Sequence, residues 1–143
     1  KIYALGGLRL GWAYCPPGIA DVLNRLRPPF NVASPAQAAG IAAVGDTAFI
    51  AKSRDHNAAW LPWITERVEA AGLTTTPSVG NFILVEFQQL PGRESEPALK
   101  FLTGRGIIAR RTASNGLPNH LRITVGTEAE MRALAEAVDA FAA

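Results

Sequence analysis

The chain has 143 residues, 48% of them hydrophobic and 18% charged, with a net charge of +2 at neutral pH. That length supports one domain with a real core and excludes two large ones. The scattered basic residues argue against a nucleic-acid stripe, and no apolar run approaches the roughly 20 residues of a membrane helix.

The chain begins Lys1-Ile-Tyr-Ala-Leu-Gly-Gly-Leu-Arg9, and the apolar run Leu8 to Tyr14 predicts a buried strand closed by Cys15-Pro16-Pro17-Gly18. Cys15 is the single cysteine and has no internal disulfide partner. Together with the absence of a basic-then-apolar leader, it points to a reducing cytoplasm. Ile19 to Leu26 predicts a helix stopped by Pro28-Pro29. Ser34-Pro35-Ala36-Gln37 predicts a helix start with a capping box, running to about Val44. Asp46-Thr47 then caps a longer helix to about Ala71, whose stripe is Trp60, Trp63, Ile64, Val68 and Ala71, with Gly72 as the stop.

Leu73 to Thr76 and Phe82 to Phe87 predict strands around the turn 77–81. A short helix is expected over Pro97 to Gly104 and a short strand over Ile107 to Arg110. Leu121 to Val125 alternates, with Leu121, Ile123 and Val125 on one face and Arg122 and Thr124 on the other. Thr127 and Glu130 form a capping box before a final helix with the stripe Met131, Leu134, Ala135, Val138 and Phe141. The order from Leu73 onward suits a small sheet with helices packed on one face. The first ~30 residues fit that unit less well, so a boundary is expected near Pro28 to Asn31.

Few residues carry chemistry. A lysine that attacks a carbonyl must be held rigidly with enough neutral amine, and an arginine suits a phosphate because its planar fork donates two parallel hydrogen bonds. Lys1 and Arg9 have those chemistries across a glycine pair, although a lysine and an arginine eight apart are usually two solvated surface charges. Arg110 and Arg122 could converge on one anion if their strands are neighbours. Adjacent strand residues face opposite ways, so only one of Arg110 and Arg111 can do so. His56 and His120 read as solvated, and two distant histidines with one cysteine make no metal site. Asn81 reads as a turn residue or a site residue.

Four stretches resemble one family in order and separation: Lys1 to Ala13, Pro29 to Ala38, Gly80 to Val85, and Gly104 to Arg111 continuing through His120 to Thr127. Together they are similar to the C-terminal half of the class I/II aminotransferases of fold type I, with the nearest likeness in the histidinol-phosphate aminotransferases. The resemblance implies an α/β (α+β) fold. Residues 1–29 would be a strand-and-helix remnant of the large cofactor-binding domain, and residues 30–143 the small domain with a mostly antiparallel sheet.

The resemblance also implies roles. Lys1 falls on the lysine that bonds the aldehyde of pyridoxal 5'-phosphate and moves the substrate proton. Arg9 falls on the cofactor-phosphate arginine. Arg122 falls on the arginine for the substrate's phosphate or carboxylate, Arg110 on a second arginine of that pocket, and Asn31 and Asn81 on site-lining stretches. The implied reaction passes an amino group from glutamate to imidazole acetol phosphate, in a cytoplasmic homodimer of the longer parent. The family's N-terminal half, which supplies further cofactor ligands, is absent from these residues, so the chain alone is expected to be inactive. The alternatives are a related aminotransferase for aromatic or other amino acids, a threonine-phosphate decarboxylase, or a catalytically incompetent small-domain module. Sequence encoded upstream of Lys1 would discriminate the enzyme from the module, and amine-donor and acceptor profiling of the full-length parent would separate the enzymes.

Overall fold

A computed structural model describes residues 1–143. The chain forms two compact units, Lys1–Asp55 and His56–Ala143. No helix is long and apolar enough to cross a membrane.

The first unit begins with a 3-10 turn at Gly6–Leu8 and continues with helices α1 (Pro17–Leu26), α2 (Ser34–Gly45) and the start of α3 (Thr47–Ala70). The two prolines at the entry to α1 explain its start, since a proline in the first turn removes a donor that would have no helical partner. The strand expected over Leu8 to Tyr14 is not formed. The run has no partner strand to complete a ladder, and Trp12 and Tyr14 are 76% and 95% exposed. The capping box expected at Ser34 is also absent, because the Gln37 amide donates instead to the Val32 carbonyl at 3.0 Å. Gly40, inside α2, leaves room for the Leu10 side chain, which a methyl group there would collide with. At the start of α3 the Asp46 carboxylate accepts from the Phe49 N–H at 2.9 Å, the expected cap.

The second unit holds the rest of α3, a four-stranded sheet, and helices α4 (Ser95–Thr103) and α5 (Glu128–Ala142). The strands are β1 (Thr74–Thr76), β2 (Phe82–Glu86), β3 (Arg110–Arg111) and β4 (His120–Thr124), in the spatial order β1-β2-β4-β3. Every neighbouring pair is antiparallel. Gly72 ends α3 with φ +84°, a conformation that costs a residue without Cβ little.

One sheet face builds the core. Ile83 and Val85 of β2 and Leu121 and Ile123 of β4 are buried against Ile64 and Val68 of α3, Leu102 of α4, and Met131, Leu134 and Val138 of α5. The alternate residues Phe82, Leu84 and Arg122 are half-buried on the opposite face. Helices on one face of an antiparallel sheet are what the alternation predicted. The α5 capping box is complete: the Thr127 hydroxyl accepts from the Glu130 N–H at 3.4 Å, and the Glu130 carboxylate accepts from the Thr127 N–H at 2.7 Å.

The strand expected over Ile107 to Arg110 is shorter and shifted, covering Arg110 and Arg111 alone, because only these two pair with β4. Ala109, just before it, is buried in the core.

Candidate functional site

Lys1, Arg9 and Asn31 belong to the first unit, and Asn81, Arg110 and Arg122 to the second. Lys1 is exposed and its carbonyl accepts from the Ala4 N–H at 2.9 Å, closing the first turn of the loop. Arg9 closes the next turn in a left-handed conformation with φ +54°. Its N–H and its guanidinium Nη1 both donate to the Gly6 carbonyl, at 3.3 and 3.2 Å. Ala4, also at φ +54°, shares this uncommon geometry, which for non-glycine residues tends to concentrate where a loop must hold a special shape. Asn31 is exposed, and its Oδ1 accepts from Arg27 Nη1 at 3.2 Å.

In the second unit the register separates Arg110 from Arg111. Arg110 and Arg122 are Cα partners across β3 and β4, as are Arg122 and Leu84 across β4 and β2. Partners in an antiparallel pair share a face, so both arginines stand on the face away from the core. Arg111 pairs with buried Leu121, points to the opposite face, and forms an ion pair with Glu96 of α4. Two like charges directly opposite each other repel, a cost that an anion between them would remove.

Arg122 has a second mark of a binding group. Its Nε is buried with no hydrogen-bond partner, and its guanidinium carbon lies 5.1 Å from the centre of the Phe82 ring. A buried donor without an acceptor costs free energy, and ring stacking orients the guanidinium without using its N–H groups. The fork is thus held in place with hydrogen-bonding capacity to spare. Asn81, half-buried, precedes Phe82, and its carbonyl accepts from the Val125 N–H at 2.9 Å, joining the entrance of β2 to the exit of β4.

The sequence pattern of aminotransferase class I and II matches residues 1–138. The chain belongs to that family. It is 52% identical over 99% of its length to a histidinol-phosphate aminotransferase of Paramagnetospirillum magneticum, covering 39% of that protein. It is 51% identical over 96% of its length to one of Rhodospirillum centenum, covering 38%. The chain therefore spans about two fifths of the length of these curated relatives. Among solved structures it is similar to the histidinol-phosphate aminotransferase of Sinorhizobium meliloti in complex with pyridoxal-5'-phosphate. The TM-score is 0.80 at 27% identity, over 99% of this chain and 39% of that one.

The residues of this family member fit a pyridoxal cofactor in their chemistry. A primary amine for an aldehyde and a guanidinium for a phosphate stand on one loop, both exposed. Gly6 and Gly7 between them have no atom within 4 Å of where a side chain would begin, so the approach is open.

Two residues that read as solvated are not so. His56 is half-buried, with its Nε2 2.7 Å from the Gly126 carbonyl, and His120 begins β4 with its Nδ1 buried and unpartnered. The His56 contact joins residues 70 positions apart, which no local pattern announces. The only sequence signal for it was the position of His56 before the apolar stripe of α3.

Proposed function

We propose that this chain is the C-terminal part of a pyridoxal-phosphate-dependent transaminase that passes an amino group from glutamate to imidazole acetol phosphate, giving histidinol phosphate. The observation that carries the substrate class is the pair Arg110 and Arg122 on one sheet face, with a buried Arg122 Nε that has no acceptor in the protein. A guanidinium pair so arranged suits an anionic substrate group, phosphate or carboxylate. The names of the curated relatives favour the phosphate.

In this reading Lys1 would hold the cofactor at its aldehyde carbon, and its amine, once freed by the incoming substrate amine, would carry the proton to and from the substrate Cα. Arg9 holds the cofactor phosphate, Arg122 and Arg110 hold the substrate anion, and Asn81 and Asn31 line the site. Bound pyridoxal phosphate supplies the electron sink for the carbon that loses its proton. Residues 1–29 belong to the cofactor-binding domain and residues 30–143 to the small domain. The longer polypeptide works in the cytoplasm as a homodimer. The 143 residues alone do not turn over substrate, a reading supported by their share of the relatives' length and by the exposure of Lys1 and Arg9.

The test is the amino-acceptor profile of the full-length polypeptide with glutamate as donor. Preference for imidazole acetol phosphate over aromatic 2-oxo acids is expected. Carbon dioxide release from threonine phosphate, or preference for an aromatic acid, would replace this reading with one of its alternatives. Absorbance of lysine-bound cofactor together with turnover by the 143 residues alone would overturn the claim of insufficiency.

A further inference from the structure

We infer that His56 and Asn57 are positioning residues for the anion-binding face of the sheet, an inference that rests on the reading of Arg122 as the substrate-anion arginine. The two residues are consecutive on α3, and neighbours on a helix point about 100° apart. That divergence lets them reach two different strand ends. His56 Nε2 lies 2.7 Å from the Gly126 carbonyl, and Asn57 Nδ2 donates to the Gly80 carbonyl at 3.1 Å. A carbonyl only accepts, so Nε2 is the protonated ring nitrogen in this contact. Gly80 leads through Asn81 into β2, and Gly126 follows β4 through Val125. The Val125 N–H donates to the Asn81 carbonyl at 2.9 Å, so the two clamped ends are also tied to each other.

Gly126 also lies close against the α5 capping box, where a side chain would collide with the Glu130 carboxylate. The Gly80 N–H is itself held by the Ser78 hydroxyl at 3.2 Å. Strand ends fray unless something beyond the ladder fixes them, and here both ends are fixed to one helix. Inward from the clamp, Phe82 follows Asn81 and pairs with Thr124, and Arg122 lies two residues further along β4, its guanidinium 5.1 Å from the Phe82 ring. The clamp sets the register of the platform on which the guanidinium rests.

The test is steady-state kinetics of the full-length polypeptide carrying His56→Gln, His56→Asn or Asn57→Asp. Glutamine places an amide nitrogen near the position of Nε2, asparagine stops short of it, and aspartate replaces the Asn57 donor with an acceptor. We expect His56→Asn and Asn57→Asp to raise KM for the anionic substrate about three- to ten-fold, the scale of one hydrogen bond. Changes in kcat should stay within about two-fold, with pyridoxal-phosphate affinity unchanged, and His56→Gln should stay near the wild-type KM. Amide exchange should quicken in segments 80–84 and 121–126 of the Asn and Asp variants and not in α5. A purely structural role predicts lower thermal stability with unchanged KM in all three variants, and that result would overturn the inference while leaving the proposed function standing. A wild type without transaminase activity would sink both.

Discussion

At the scale of single residues, register decides which sheet face each of three neighbouring arginines takes. Arg110 shares a face with Arg122, while Arg111 is committed to Glu96. In the full-length polypeptide, Arg110→Ala is expected to weaken binding of the anionic substrate, and Arg111→Ala to leave its KM within about two-fold. Arg122→Lys should raise that KM by about ten-fold or more, because an ammonium cannot form the paired contacts of the fork. Steady-state kinetics with the phosphorylated acceptor checks all three. Lys1→Ala should lose the visible absorbance of lysine-bound cofactor and lower turnover by about 10²–10⁴-fold, the usual contribution of a positioned proton carrier. The chemical identities of these residues were legible in the sequence, and the choice between Arg110 and Arg111 was not. A two-residue strand carries no periodicity, and only its partner β4 fixes which side chain faces which way.

At the scale of elements, helices with local punctuation were the most legible. Gly72 at the end of α3, Asp46 at its start and the Thr127–Glu130 box at α5 each act within a few residues, so their spacing suffices to find them. The run Leu8 to Tyr14 shows the opposite case. Its apolar residues match a strand pattern, but a strand is a relation between two segments, and no second segment pairs with it. The α5 box also has a pH signature. The Thr127 N–H and then the Thr127 hydroxyl, both bonding the carboxylate, hold the Glu130 pKa below its ordinary value. A lowered pKa means that the unfolded chain takes up the proton first as pH falls. The stabilisation is therefore complete above the ordinary glutamate range and disappears as pH drops through the depressed value. Glu130→Gln should flatten the acid side of a plot of Tm against pH.

At the scale of the whole molecule, the stripes of α3, β4 and α5 gave part of the second unit's core, since alternation and helical spacing both survive folding unchanged, whereas Ile83 and Val85 of β2 and Leu102 of α4 were not singled out. Leu134 is 1% exposed within that core, and Leu134→Ala is expected to cost about 2–5 kcal/mol, measured by denaturant unfolding. What the sequence concealed were contacts between distant segments. The His56 and Asn57 bonds to Gly126 and Gly80 are examples, because polar pairs of that kind leave no periodic trace.

The placement of the three tryptophans provides two separate optical reporters. Trp12, in the first unit, is 76% exposed, so its emission already resembles that of a solvated indole and should change little on unfolding. Trp60 and Trp63 meet edge to face in the second unit, 5.0 Å between ring centres, with the Arg132 guanidinium near both rings. Such fixed, asymmetric ring pairs give near-ultraviolet circular dichroism that a fluctuating core would lose. Loss of that signal therefore times the melting of the sheet and its helices alone.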